Sequence, residues 1–118
     1  MIVDDSKEAM VFLKDFLDYQ QQINVVANAT DGAECLALAP SVHPELIIMD
    51  YRMPVMDGIR ATRGLRAASF QGRIIVITLD SDPQIEQAAI AAGADGFCQK
   101  AELLEKLMPI IEKLFAGR

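Results

Sequence analysis

The feature that most constrains the fold is the run Leu46-Ile47-Ile48-Met49, which ends at Asp50 and leads into Tyr51-Arg52-Met53-Pro54-Val55-Met56-Asp57-Gly58. Four apolar residues between Pro44 and a loop of Pro, Asp and Gly have the length of a short strand and leave no polar face. A strand buried on both sides belongs to a parallel sheet with helices packed on each face. In an open sheet of that kind the carboxyl ends of the strands form the floor of the ligand crevice, so Asp50 stands where such folds do their chemistry. Taken singly, an Asp followed by Pro and Gly reads better as the start of a turn. The rest of the chain decides between the two.

Met1-Ile2-Val3 reads as a first strand ending on the acidic pair Asp4 and Asp5. Apolar residues at Ala9, Met10, Phe12, Leu13, Phe16 and Leu17 keep helical spacing over 6–20, and Asp5 with Glu8 resembles a capping box. Ile23-Asn24-Val25-Val26-Ala27 is β-branched enough for a second strand. The pattern Asp31-Gly32-Ala33-Glu34 opens a short helix expected to stop at Pro40. The strand carrying Asp50 is third. A helix over 58–68 follows, weakened by Gly64, and then the clearest strand, Arg73 to Leu79, which delivers the hydroxyl of Thr78. Asp82 as N-cap and Pro83 at the first helical position begin a fourth helix that stops at Gly93. Gly96-Phe97-Cys98-Gln99-Lys100 is a fifth strand ending on an ammonium. The last helix carries Leu103, Leu104, Leu107, Ile110, Ile111 and Leu114 on one stripe, and Pro109 is expected to bend or split it. Five strands alternating with five helices predict an α/β doubly wound parallel sheet of flavodoxin-like order 2-1-3-4-5.

Composition sets the boundaries of function. With 118 residues, 52% of them hydrophobic, residues 1–118 make one domain with an adequate core. No apolar run approaches the ~20 residues of a membrane span, and the acidic start is unlike a secretory signal, so the expected location is cytoplasmic. A net charge of -6 argues against direct nucleic-acid binding by this domain. Cys35 and Cys98 lack metal spacing and read as buried small hydrophobes, while His43 reads as a loop residue. No Gly-rich phosphate loop occurs.

In the predicted strand order, Asp4, Asp5, Asp50, Thr78 and Lys100 meet at one edge of the sheet. Clustered carboxylates repel and raise one another's pKa unless a cation holds them, and oxygen ligands suit a hard divalent ion, Mg²⁺ in particular. Mg²⁺ in turn implies an anion. Thr78 supplies a hydrogen bond to a phosphoryl oxygen and Lys100 a mobile positive charge, which leaves Asp50 as the nucleophile that holds a phosphoryl group as an acyl phosphate.

At these residues the sequence closely resembles the receiver domain of two-component response regulators over essentially its whole length. An acidic pair after the first strand, Asp-x-x-Met-Pro-x-Met-Asp-Gly after the third, Thr after the fourth and Lys after the fifth carry the resemblance. It implies that Asp50 is the phosphoacceptor, Asp5 the direct Mg²⁺ ligand, and Asp4 a ligand acting through water. It further implies the backbone carbonyl of Arg52 as a ligand, Thr78 as the switch hydroxyl, Lys100 as the phosphate-pairing lysine and Phe97 as the switch aromatic. The implied partners are a sensor histidine kinase or phosphotransfer protein and a downstream effector domain or protein. The implied output surface comprises the fourth helix, fifth strand and fifth helix, and the chain is expected to be a receiver cut from a longer regulator.

Three departures from the family pattern stand out. Ala101 replaces the usual Pro after the lysine, which predicts a trans Lys100-Ala101 bond or an altered loop, because a cis bond without proline costs ~2.5–4 kcal/mol. Leu79 is bulky where a small residue is common and is expected to narrow access to Asp50. Arg52 and Asp80, each two residues past a key position, are placed to face each other across the pocket mouth and tune phosphoryl lifetime.

Two other functions compete with a phosphorylation switch. A Mg²⁺ phosphohydrolase with an aspartyl-phosphate intermediate commonly needs an acid two residues after the nucleophile, where this chain has Arg52. A binding module that is never phosphorylated would not need all five site residues. The leucine-rich last helix also allows a homodimer, although the same stripe is needed for core packing.

Overall fold

In the computed structural model, residues 1–117 are described. The strands are β1 (Ile2–Val3), β2 (Asn28–Ala29), β3 (Leu46–Asp50), β4 (Arg73–Thr78) and β5 (Gly96–Gln99). They alternate with α1 (Lys7–Asp18), α2 (Gly32–Val42), α3 (Gly58–Ala67), α4 (Pro83–Ala92) and α5 (Leu103–Leu114). All four pairings are parallel, in the order β2-β1-β3-β4-β5 that the sequence predicts. Alternation along β3 divides the core in two. Ile47 and Met49 join Val3, Ile74 and Val76 against Cys35, Ala61, Leu65 and Ala89, residues of α2, α3 and α4. Ile48 joins Ile2, Ile75 and Ile77 against Leu13 and Leu17 of α1 and Leu107 and Ile111 of α5. A side chain pointing either way from β3 therefore meets apolar atoms, which is why the strand has no polar position before Asp50.

Five local expectations are corrected. The α1 cap is Ser6, whose Oγ accepts from the Ala9 N–H at 3.2 Å, so Asp5 stays outside the cap. The second strand forms at Asn28–Ala29 rather than over 23–27, because β1 offers only Ile2 and Val3 for it to pair with. Helix α2 runs past Pro40 to Val42 and ends at His43, which is left-handed at φ 51° and donates to Ala39 O. A proline so near the end removes one hydrogen bond and leaves little helix to disturb. Helix α5 likewise continues through Pro109 without splitting, held to the sheet by Leu107 and Ile111 on either side of it. Its predicted stripe is narrower than expected, since Leu104 is 67% exposed.

The start of α4 follows expectation, with Asp82 accepting from Gln84 N–H and Pro83 at the first turn. Its end does too, at Gly93 with φ 115°. Both cysteines are buried and free. At the end of β5 the chain enters a single 3₁₀ turn, Lys100–Glu102, and no cis peptide occurs among the described residues. Ala101 thus sits on a trans bond in a tight turn, as the absence of proline predicts.

Candidate functional site

The carboxyl ends of β1, β3, β4 and β5 each contribute one part of the site. Asp4 follows β1 and is 1% exposed; its Oδ1 accepts from the Ser6 N–H at 2.9 Å, which fixes the carboxylate beneath the start of α1. Asp5, next in the chain, is exposed. Asp50 closes β3 at 5% exposure. Carboxylate oxygens of Asp4, Asp5 and Asp50 all lie within 4.8 Å of one another.

The cation of the site comes from β5. Lys100 Nζ lies 3.0 Å from Asp4 Oδ2 and 3.3 Å from Asp50 Oδ1, so one ammonium spans the two buried acids. Burial works to lower its pKa, but the hydrogen bond to Asp4 and the charges of Asp50 and Asp4 outweigh that and hold it above the ordinary lysine value. Asp50 is pushed the other way for a carboxylic acid, up to about 6, by burial first and then by the charge of Asp4, against the pull of Lys100. Two acids share one lysine here. The surplus negative charge is what a divalent cation would neutralise, and an all-oxygen donor set suits Mg²⁺.

Thr78, 1% exposed at the end of β4, accepts from the Asp80 N–H at 3.0 Å. Asp80 Oδ2 in turn lies 2.8 Å from Arg52 Nε, and the Arg52 guanidinium stacks 5.0 Å from the centre of the Tyr51 ring. The expected pairing of Arg52 with Asp80 is therefore present, joining the loop after β3 to the loop after β4. Leu79 is 82% exposed. Phe97 is half-buried and packs against the α2–α3–α4 side of the core.

Two features of the site surroundings escaped sequence reasoning. Gly58 donates to Tyr51 O at 2.7 Å, and a Cβ there would overlap the Asp50 carbonyl oxygen, so only glycine lets α3 start directly behind Asp50. The glycine was visible, but the approach that demands it was not. At the opposite edge of the sheet, Arg66 donates to the carbonyls of Gly93, Phe70 and Gly72 and to Asp95 Oδ2 at 2.8–3.0 Å. Asp95 Oδ2 also accepts from the Ile74 N–H. No spacing links Arg66 to Asp95 in the sequence; the pair clamps α3, β4 and the α4–β5 turn together.

The structure is thus an α/β domain with a five-stranded parallel sheet of this order and with three acids, a threonine and a lysine at its carboxyl edge. Residues 1–112 match the family described as response regulator receiver domain, and the chain belongs to that family. It is similar to the nitrate/nitrite response regulator protein NarL of Escherichia coli (strain K12), with 31% identity over 99% of this chain and 54% of that protein. It is also similar to the response regulator GacA of Pseudomonas aeruginosa, with 30% identity over 100% of this chain and 55% of that protein. The chain therefore spans about half the length of these curated relatives. Among solved structures, the signal receiver domain of the response regulator NarL from Mycobacterium tuberculosis superposes with a TM-score of 0.91 at 29% identity, covering 99% of this chain and 94% of that one. The domain is a signalling module rather than a classical enzyme, and no described helix is long and apolar enough to cross a membrane.

Proposed function

We propose that Asp50 is the phosphoacceptor of a two-component relay. The single observation that supports this most is the Asp4–Lys100–Asp50 arrangement, in which one ammonium serves two buried carboxylates beside a third acid. An Asp50 carboxylate oxygen attacks the phosphorus of a phosphohistidine on a sensor kinase or phosphotransfer protein. The P–N bond breaks with its electron pair going to the imidazole, which takes up a proton, and an acyl phosphate remains on Asp50.

Asp5 and Asp50 would hold Mg²⁺ directly, with the Arg52 carbonyl as a further ligand and Asp4 acting through water. The ion supplies charge neutralisation for the incoming phosphoryl oxygens. Lys100 leaves Asp4 to pair with the phosphoryl group, the Thr78 hydroxyl donates to it, and Phe97 follows Thr78 into the core. The face made by α4, β5 and α5 then changes its affinity for an effector domain or protein. A shift of a few kcal/mol between two existing states is enough for this.

Arg52 takes the place of the second acid of a phosphohydrolase and is engaged by Asp80, which favours a switch over turnover of external esters. The test is exposure to acetyl phosphate with Mg²⁺. The expected result is a mass increase of one phosphoryl group that disappears in Asp50→Asn. Persistence of the adduct in that variant, or its absence from the wild type, overturns the assignment.

A further inference from the structure

Between β3 and α3 the chain closes into a ring. Tyr51 N–H donates to Ile77 O at 2.9 Å and Gly58 N–H donates to Tyr51 O at 2.7 Å, which ties residues 51–58 to β4. Inside that ring the backbone is strained at one residue. Val55 has φ 69° and stands at the centre of a three-residue turn in which Met56 N–H donates to Pro54 O at 2.7 Å. A γ-turn with positive φ is rare, and a β-branched residue is poorly suited to it. The Val55 side chain is 79% exposed, so its own packing does not hold the turn.

What holds the turn comes from α2. Asp31 caps that helix by accepting from Glu34 N–H at 2.8 Å, while the Gly32 N–H, which has no acceptor within the helix, donates to Met56 O at 3.1 Å. Gly32 is buried, so a loop that relaxed away from it would strand a backbone donor. A Cβ on Gly32 would stand 2.6 Å from Met56 O and 2.9 Å from the Ala61 Cβ. Only glycine allows α2 to approach the loop this closely. Among the described residues, no other backbone bond joins residues 52–56 to a different element.

We propose that Gly32 is a positioning residue for the metal site: its N–H holds the strained turn at Val55, and that turn fixes the Arg52 carbonyl for Mg²⁺. This rests on the assignment of the Arg52 carbonyl as a ligand. Backbone strain persists only where its surroundings over-determine it, and it gathers at ligand clamps, where a group held in advance needs no ordering when the ligand arrives. Arg52 lies between the closure at Tyr51 and the turn over 54–56, so the chain is fixed on both sides of it. Released from Gly32, Val55 returns to negative φ, and the Arg52 carbonyl becomes a flexible group that binding must order. Affinity for Mg²⁺ then falls with the fraction of molecules that keep the held loop. Helix α2, which contributes no ligand, thereby sets the strength of the site.

Val55→Pro is the principal test, because proline excludes positive φ at an exposed position whose N–H donates to no described residue. In metal-free protein its Gly32 amide is expected to exchange about tenfold faster than in wild type. Titration with Mg²⁺ followed by the amide resonances is expected to give a dissociation constant about tenfold larger. Gly32→Ala is expected to weaken Mg²⁺ comparably, whereas Val55→Gly, which accepts the same turn, is expected to stay within about twofold of wild type. Three results overturn the inference while leaving the metal site itself standing: a Val55→Pro protein that binds Mg²⁺ as tightly as wild type, one whose Gly32 amide exchanges at the wild-type rate, or a Val55→Gly protein that loses as much affinity as Val55→Pro. A wild type that takes up no Mg²⁺ overturns the metal assignment and this inference with it.

Discussion

Lys100 gives its shorter contact to Asp4, at 3.0 Å from Oδ2, and only the longer one, at 3.3 Å, to Asp50. The lysine is thus held more closely by Asp4 than by Asp50, the proposed phosphoacceptor. Replacing it with methionine leaves two buried carboxylates facing each other. In the absence of divalent cation, Lys100→Met is expected to destabilise the domain by about 2–3 kcal/mol at pH 7, because removing one partner strands buried charge. Mg²⁺ is expected to restore much of that loss by binding the native state. Thermal melts of both proteins with and without Mg²⁺ check this; equal Mg²⁺-induced shifts in the two would contradict it.

Asp50 provides a pH dependence of definite sign. Its folded pKa of about 6 lies above the 3.8 of a free Asp side chain, so between those values the folded state binds more protons than the unfolded one. Stability from this group is full below the unfolded value and falls as pH rises through about 6, by up to about 3 kcal/mol at 1.36 kcal/mol per unit. The stability of Asp50→Asn relative to wild type, both without metal, is expected to increase across that window and level off above it. Mg²⁺ affinity runs the other way and is expected to weaken below pH 6 as protons compete. Denaturant titrations at a series of pH values measure the first effect and calorimetry the second.

The Arg52–Asp80 bridge is exposed, 70% and 36% at its two side chains, so its contribution to stability is small. Arg52→Ala and Asp80→Ala are each expected to change stability by less than about 1 kcal/mol. Each is nevertheless expected to shorten the lifetime of the acyl phosphate, because the bridge spans the loops after β3 and β4 and shields the attacking water. Loss of labelled phosphate from the phosphorylated variants is the measurement. An unchanged rate in both variants removes the proposed role.

Arg66 and Asp95 stand at the edge opposite the site, and their contacts are to backbone as well as to each other. Asp95→Ala is expected to cost about 3 kcal/mol, since it leaves the half-buried guanidinium of Arg66 without its carboxylate and the Ile74 N–H without its side-chain acceptor. Phosphorylation of the surviving folded protein is expected to proceed as in wild type. A urea titration and an acetyl phosphate assay together separate this clamp from the chemical rim.

Legibility followed the range of the interactions. Asp50 and Thr78 are legible because each terminates a run of apolar residues whose length and pattern already specify a buried strand, and Lys100 because it closes the short segment Gly96-Phe97-Cys98-Gln99 between the Gly93 stop and the last helix. Parallel topology then sends every strand end to one edge. The Ser6 cap was misread because Asp5 and Ser6 are both good caps, and the choice depends on where Asp4 anchors the turn. Local rules expect a stop at Pro40 and a bend or split at Pro109, but packing of Ala39 and of Leu107 and Ile111 accompanies helices that continue past both prolines.

By itself the sequence determined the order of elements, the double-sided burial of β3 and the inventory of the acidic rim, since these depend on periodicity and on residues a few positions apart. Only the tertiary structure decided which acid holds Lys100, that Gly58 must press against the Asp50 backbone, that Arg66 reaches Asp95, and where β2 begins. Those outcomes depend on distances between residues remote in the chain, and no local pattern encodes a distance that exists only once the sheet has formed.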